Sequence, residues 1–152
     1  MPAAVLSSRH EVTVEDVKGA LARPGIKESE IQPGDAILFS YGWALNRDNP
    51  AKYNNADYDH PENKGSPGIV IPVARWLAEK TVSLVHAASC CVEVIPNPDA
   101  SLKHPVHQEL ITLHGIYPLE NPDQLAQPIR PHIDHPAPPV DSARGGELVE
   151  SH

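Results

Sequence analysis

The residues best suited to chemistry lie between positions 104 and 120. His104 and His107 form the motif His-Pro-Val-His, Glu109 follows two residues later, and Glu120 ends the next apolar segment. Imidazole and carboxylate groups together can bind zinc or manganese, or act as a general base with an orienting acid. Glu120 would lie at the carboxyl end of a strand, where ligand sites of α/β sheets gather. A structural alternative stays open, in which His104 caps a helix, His107 packs half-buried and Glu120 is a solvated turn residue.

Two further groups of histidine and aspartate are weaker candidates. The motif His-Ile-Asp-His at 132–135 lies in a proline-rich segment, which has no rigid element to preorganise a metal site. His60 stands near Asp57 and Asp59 in a polar stretch, where such residue types usually serve solubility and turn chemistry.

The two cysteines, Cys90 and Cys91, are adjacent in the sequence. A disulfide between neighbours would strain the peptide, so we expect two reduced thiols that are buried in a strand. No basic residue stands beside them to lower a thiol pKa, which disfavours a nucleophilic role.

Aromatic residues offer a candidate substrate pocket. Tyr41 and Trp43, with Tyr117, could line a pocket for an aromatic ligand. The chain has 2 Trp, 4 Tyr and 1 Phe, so the same residues are also needed in its core.

Local patterns predict helices alternating with strands, which is typical of the α/β class. Thr13 before Val-Glu-Asp is an N-terminal helix signal, and Pro33-Gly34-Asp35 is a turn that precedes an apolar strand. In the second half, Val106, Leu110 and Leu113 would share one side of a helix that Gly115 ends. The predicted helices cover about 14–23, 72–80 and 105–114, and the predicted strands cover 36–39, 82–85, 92–95 and 116–119.

Composition narrows the class of partner. The net charge is −8 with 12 dispersed Lys and Arg, which argues against nucleic acid because phosphates require clustered basic residues. No apolar run approaches the roughly 20 residues of a membrane span, and no secretory signal is visible, so we expect a cytoplasmic protein that binds a small molecule. Prolines are dense beyond Asn121, which predicts a disordered tail at 127–152 after a domain at 11–126.

Seven segments, in this order, resemble the cyclase family, which includes kynurenine formamidase-like and isatin hydrolase-like metal-dependent hydrolases. They span about residues 11–126 and are specific as a set rather than singly. The segments are Thr-Val-Glu-Asp-Val (13–17), Ile-Gln-Pro-Gly-Asp-Ala-Ile-Leu-Phe (31–39) with Gly42-Trp43, Ser-Pro-Gly-Ile (66–69), Ala-Arg-Trp-Leu-Ala-Glu-Lys (74–80), Cys-Val-Glu-Val-Ile-Pro (91–96), His-Pro-Val-His-Gln-Glu-Leu (104–110) and Gly-Ile-Tyr-Pro-Leu-Glu-Asn (115–121).

The resemblance implies a swivelling β/β/α domain, here a partial one with a mixed sheet. It implies a divalent metal, zinc or manganese, and hydrolysis of N-formyl or cyclic amides by metal-activated water. By position, His107 matches a histidine that moves protons near the metal, and Glu120 matches a glutamate at the metal site. These two are the implied catalytic residues and, together with His104, the implied metal ligands.

The sequence also departs from the family pattern. The family's His-x-Gly-Thr-His-x-Asp-type motif would precede Thr13, where only His10 is found, and a Gly-Ser-Asp stretch reads His-Ala-Ala at 86–88. We therefore expect a truncated, weakly active or inactive arylformamidase-like hydrolase. Two alternatives remain: another subunit or local groups such as His60 and Asp57 complete the ligands, or the chain is a non-catalytic binding or assembly module. Exposed strand edges would favour a homo-oligomer.

Overall fold

The computed structural model describes residues 5–53 and 65–121. Within these ranges strands and helices alternate, which confirms the predicted α/β class. The elements are β1 (Glu11–Val12), α1 (Val14–Ala22), β2 (Ala36–Phe39), α2 (Pro50–Tyr53), β3 (Gly68–Ile69), α3 (Ile71–Glu79), β4 (Leu84–Ala87), α4 (Pro105–His107) and β5 (Tyr117–Glu120), with 3₁₀ turns at Glu28–Glu30 and Trp43–Asn46 and a π-helical segment at Gln108–Leu113.

The expected tail at 127–152 and the domain boundary at 126 lie outside the described residues. Across the described ranges, every helix falls short of the length and apolar character needed to cross a bilayer.

Helix α1 begins at the predicted position because its first turn carries a complete capping box. The Thr13 hydroxyl accepts a hydrogen bond from the backbone N–H of Asp16, and the Asp16 carboxylate accepts one from the backbone N–H of Thr13 at 2.9 Å. These bonds satisfy two backbone donors that a helix start otherwise leaves unpaired.

A three-stranded parallel sheet brings Glu120 to the edge where the strands end. The strand order is β2-β4-β5, and Phe39, Ala87 and Glu120 occupy the same row of the register. Since the strands are parallel, their carboxyl ends meet at one edge, as expected for a ligand site. Glu120 therefore shares this edge with the residues that follow β4.

Helix α3 supplies much of the core. Pro72 lies in its first turn, and Val73, Ala74, Trp76 and Leu77 are buried. The helix packs against α1, α4 and the π-helical segment. It directly follows β3, which pairs in parallel with β1.

The segment from Val92 to Ile95 is not the strand that the apolar run predicts. It makes only isolated bridges, antiparallel between Ile95 and Ser66 and parallel between Glu93 and Ile69. Pro67 and Pro96 have no backbone N–H to donate, so a regular ladder cannot continue through them.

Close backbone contact holds this segment in place. A Cβ atom at Gly68 would overlap the carbonyl carbon of Glu93, and one at Gly65 would overlap the carbonyl oxygen of Ile95. Gly65 also has a φ of +71°, which other residues rarely adopt. Gly65 and Gly68 therefore allow the backbone of the segment 92–95, which carries Glu93, to pack directly against the backbone on either side of Ser66-Pro67.

The helix predicted over 105–114 changes pitch along its length. After α4 it continues as the π-helical segment up to Leu113, and Gly115, with a φ of +65°, follows its end. The wider π turn rotates the later residues, so Val106 and Leu110 are fully buried whereas Leu113 is 65% exposed. The prediction that all three lie on one side of a helix was wrong for Leu113.

Candidate metal and catalytic site

The centre of the candidate site is Glu93, a carboxylate with a relative exposure of 0%. One oxygen, Oε1, lies in short contact with His107 Nδ1 and 3.3 Å from His104 Nδ1. The other, Oε2, accepts a hydrogen bond from the backbone N–H of Val106 at 3.3 Å. Burial of a charge is costly unless the charge is paired or bound to a cation. The contacts with two histidines therefore make Glu93 a candidate ligand rather than an ordinary core residue.

His107 lies between two carboxylates. Its Nδ1 contacts Glu93, and its Nε2 is 3.1 Å from Glu120 Oε1. The hydrogen bond to Glu120, followed by that to Glu93, raises the pKa of His107 to about 10. Without a metal the ring is therefore a cation, since each nitrogen must donate to a carboxylate oxygen.

Glu120 is positioned by the end of β5 and by the segment that follows β4. Its Oε1 accepts a hydrogen bond from the backbone N–H of Val92 at 2.6 Å. Burial would raise the pKa of Glu120, but the hydrogen bonds from His107 and Val92 outweigh it and bring the pKa below its usual value. Glu120 is thus held ionised beside His107.

His104 gives the cluster its contact with solvent. Its backbone has a φ of +49°, and its ring packs edge-on against His107 with a centroid distance of 5.6 Å. Its side chain is 45% exposed, compared with 24% for His107. His104 occupies the N-cap position of α4 but makes no capping hydrogen bond with its side chain.

The donor atoms fit a divalent metal. Ligand atoms of Glu93, His104 and His107 all lie within 4.8 Å of one another. Imidazole nitrogen and carboxylate oxygen suit zinc and manganese, and three protein ligands with an open position are typical of a catalytic zinc site. The fully buried carboxylate supplies the negative charge that a cation requires.

Glu109, although close in sequence, belongs to a different cluster. Its carboxylate accepts hydrogen bonds from Arg75 at 3.0 and 3.3 Å, and His114 Nε2 lies 3.4 Å from it. Glu109 lies two residues after His107 but outside the candidate site, so it is a suitable control for substitutions of Glu93 and Glu120.

Tyr41 and Trp43 are both 2% exposed and belong to the core. The Tyr41 hydroxyl donates to the Val92 carbonyl at 3.2 Å, and Trp43 Nε1 donates to the Tyr53 carbonyl at 3.2 Å. Their role as a substrate pocket stays a prediction. Tyr41 nevertheless contributes to the site, because it holds Val92, whose N–H in turn binds Glu120.

Cys90 and Cys91 follow β4 outside any strand and are only half-buried, unlike the expected buried-strand position. A hydrogen bond with Cys91 lowers the pKa of the Cys90 thiol to about 7, whereas the same interaction raises that of Cys91. Cys90 Sγ also lies 3.4 Å from Ser66 Oγ. The sequence disfavoured a reactive thiol because no basic residue stands beside the cysteines. In the structure the pKa of Cys90 is lowered by hydrogen bonds instead, so a basic neighbour is not required.

Sequence reasoning missed Glu93. Its one available signal is an acidic residue between Val92 and Val94 in an otherwise apolar run, which is costly unless the side chain has a partner. The weaker candidates Asp57, His60 and the motif at 132–135 lie outside the described residues.

Comparison with known proteins decides the family. A family model, Cyclase, with the description "Putative cyclase", matches residues 1–93. The chain belongs to the cyclase family. This confirms the resemblance, and the matched range ends at Glu93, before His104, His107 and Glu120. A search of curated proteins gave no match.

Two solved structures share the cyclase fold with this chain. Isatin hydrolase A from Ralstonia solanacearum is 22% identical with a TM-score of 0.62, over 85% of this chain and 50% of its own. A protein described as a novel cyclase is 24% identical with a TM-score of 0.56, over 78% of this chain and 35% of its own. The chain thus spans half or less of the length of these cyclase structures.

Proposed function

We propose that this cyclase-family chain carries a metal-dependent hydrolase site that cleaves N-formyl or cyclic amides. The observation that carries the proposal is His107 held between Glu93 and Glu120, with His104 beside it. Metal-dependent amide hydrolysis requires N and O ligands around a cation and a group that moves a proton nearby. The likeness to isatin hydrolase A adds fold-level support for this class.

Glu93, His104 and His107 would hold the metal, zinc or manganese. A divalent cation supplies Lewis-acid polarisation of a carbonyl and acidification of water. The backbone N–H of Val106 fixes one oxygen of Glu93 and leaves the other directed at the two imidazoles. His104 is the exposed member of the set, so we assign it to the side from which a substrate arrives.

Glu120 is the proposed proton-handling residue. Its Oε1 lies 3.1 Å from His107 Nε2, which is within reach for a hydrogen bond and a proton shift between the two atoms. The hydrogen bonds from His107 and from the backbone N–H of Val92 lower the pKa of Glu120 and keep it ionised, ready to accept a proton. Tyr41 is a positioning residue, because its hydroxyl holds the carbonyl of Val92, whose N–H binds Glu120.

Metal content of the purified full chain tests this proposal. After equilibration with zinc or manganese and removal of free metal, we expect one ion per chain by elemental analysis. Glu93→Gln should abolish retention because it removes the buried charge, whereas the matched control Glu109→Gln should retain the ion. A wild-type chain that holds no metal, or a Glu93→Gln chain that holds as much as wild type, would overturn the proposed site.

Hydrolysis is then measured with the loaded protein on N-formylkynurenine and isatin, following the substrate spectra. Turnover that is lost in Glu120→Gln but accompanied by full metal retention would support the assigned proton-handling role. Retention of metal without turnover of an amide would instead support the alternative of a non-catalytic binding module.

A further inference from the structure

Asn121 directly follows Glu120, the last residue of β5, and has a left-handed backbone conformation. Its φ is +62°, a value that asparagine adopts more readily than most residues other than glycine. Its backbone N–H points at two carbonyl oxygens, those of Ala87 and Ser89, each at 3.2 Å. The chain just after Glu120 is therefore tied to the end of β4 and to the segment that follows it.

Two side chains from a distant part of the sequence also bind Asn121. Arg47 Nη2 donates to the Asn121 carbonyl at 3.1 Å and to its Oδ1 at 3.2 Å. The Tyr53 hydroxyl donates to the same Oδ1 at 2.6 Å. Hydrogen bonds from a charged donor are stronger than those between neutral groups. The carboxyl end of β5 is thus joined to the segment that contains Arg47 and α2.

The two donors are themselves held in place. Tyr53 is 3% exposed, and its carbonyl accepts a hydrogen bond from Nε1 of the buried Trp43 at 3.2 Å. The guanidinium carbon of Arg47 lies 5.7 Å from the centroid of the Tyr53 ring, within the range of a cation–π contact. Because the core fixes Tyr53 and Tyr53 supports Arg47, little side-chain freedom remains to be lost when both bind Asn121.

Glu120 needs support on its backbone as well as on its side chain. The Val92 N–H holds its Oε1 at 2.6 Å, but within the described residues β5 pairs with β4 alone, and Glu120 is its last residue. The ends of such strands open easily unless they are tied down. A group that moves a proton loses up to about a hundredfold in rate when it is displaced by about 1 Å. The bonds at Asn121 therefore bear on the chemistry assigned to Glu120.

We propose that Asn121 is a positioning residue for Glu120, held in its left-handed conformation by Arg47 and Tyr53. Its expected effect on turnover rests on the proposed hydrolase function, whereas its effect on the position of Glu120 does not. A purely stabilising Asn121 would behave differently. Loss of its side chain would then lower the free energy of unfolding but leave Glu120 where it is.

The backbone amide of Val92 reports the position of Glu120, because this N–H donates to Glu120 Oε1. The measurement is the amide proton shift and hydrogen exchange of Val92 in the metal-free full chain, with Glu120→Ala as the reference for the broken bond. Asn121→Gly permits the same φ but removes Oδ1, so it should move the Val92 signal toward that reference and speed its exchange. Asn121→Asp keeps an acceptor for Arg47 and Tyr53 and should stay close to wild type.

Turnover of N-formylkynurenine by the metal-loaded chain gives a second readout. Asn121→Gly should lower kcat about 10- to 100-fold with little change in KM, because the step assigned to Glu120 is affected rather than substrate binding. Asn121→Asp should recover most of kcat. A wild-type chain without metal or turnover would contradict the proposed hydrolase function, and the Val92 amide would still decide whether Asn121 positions Glu120.

Two further variants guard against effects on folding. Ser83→Ala removes a hydroxyl that donates to the Gly34 carbonyl at 2.7 Å, next to the amino end of β4, and should leave the Val92 amide and kcat as in wild type. Tyr53→Phe removes one donor to Asn121 and should shift the Val92 amide in the same direction by less, which keeps the test open if circular dichroism shows Asn121→Gly unfolded. A folded Asn121→Gly with the wild-type Val92 signal, or an Asn121→Asp that is equally impaired, would overturn the proposal.

Discussion

His107 Nε2 lies 3.1 Å from Glu120 Oε1, and the opposite nitrogen of the same ring contacts the buried Glu93. Ionised carboxylates only accept hydrogen bonds, so both ring nitrogens must carry protons in the metal-free protein. A proton on this ring and a divalent cation therefore compensate the same pair of negative charges. With the protonated ring between two ionised carboxylates the three side chains keep a net charge of −1, and a divalent cation beside a neutral ring would bring the net charge to zero.

The first prediction concerns the charge of His107. Glu120→Gln removes the largest cause of its raised pKa, so the pKa should fall from about 10 toward the ordinary histidine value. The measurement is an NMR pH titration of the imidazole nitrogens in metal-free protein. Glu109→Gln, whose carboxylate binds Arg75 and His114, should leave the titration of His107 unchanged. If Glu120→Gln also leaves it unchanged, the contact between His107 and Glu120 is absent in solution.

The second prediction concerns the buried carboxylate of Glu93. Glu93→Ala leaves the Val106 N–H and the charged His107 ring without their acceptor, which should cost about 3–5 kcal/mol of unfolding free energy. Glu93→Gln keeps a side-chain oxygen for one of these bonds and should cost about 1–3 kcal/mol. Urea denaturation of metal-free protein measures both. Little or no loss in Glu93→Ala would mean that the side-chain contacts of Glu93 do not stabilise the fold.

The third prediction concerns the glycine against which Glu93 rests. Gly68→Ala places a Cβ atom in the Glu93 backbone, so the two segments must separate at a cost of about 1–3 kcal/mol. Gly19 in α1 is the matched control, because a Cβ there meets nothing within 4 Å. Gly19→Ala should instead stabilise the protein by about 0.5–1 kcal/mol through helix propensity. Opposite signs in thermal denaturation are expected, and a neutral Gly68→Ala would contradict the close contact.

The fourth prediction concerns pH and Glu28, which links separate elements. Its carboxylate lies 2.8 Å from Lys80 Nζ and 3.2 Å from Lys18 Nζ, and the hydrogen bonds from Lys80 and then Lys18 lower its pKa to about 2. A lowered pKa stabilises the folded state above the ordinary glutamate value of about 4.3, and this contribution is lost as pH falls toward 2. Glu28→Gln should therefore lower Tm at pH 6, and the difference from wild type should shrink in acid.

Glu79→Gln, at the last turn of α3, is the control for Glu28. It should change Tm at pH 6 by less than Glu28→Gln does. Thermal melts at several pH values, with and without high salt, measure both effects. A difference between wild type and Glu28→Gln that grows in acid would have the wrong sign for this ion pair.

The elements whose ends depend on neighbouring residues could be predicted from the sequence. The capping box at Thr13 and the turn before Ala36 depend on neighbouring residues, so α1 and β2 were predicted close to their observed bounds. His107 and Glu120 followed from the family resemblance, and the structure brings them together. The strand predicted over 92–95 failed because its partners, Ser66 and Ile69, lie more than twenty residues away beside a proline.

The same distinction explains why Glu93 was missed. Its contacts with Val106 and His107 join two segments across a loop, and only the fold reveals that the acidic side chain points inward. The helix also changes from α to π pitch after His107. Regular helical spacing therefore placed Leu113 on the wrong side.

The π-helical segment has a consequence for comparing this chain with its relatives. A π turn is an α-helix that has absorbed one additional residue without breaking. Gln108–Leu113 lies between His107 and Glu120, so the count of residues separating this pair can change inside the helix while both ends stay anchored. An alignment that demands a fixed interval between the histidine and the glutamate would then place a gap in the wrong position, or overlook the pair altogether.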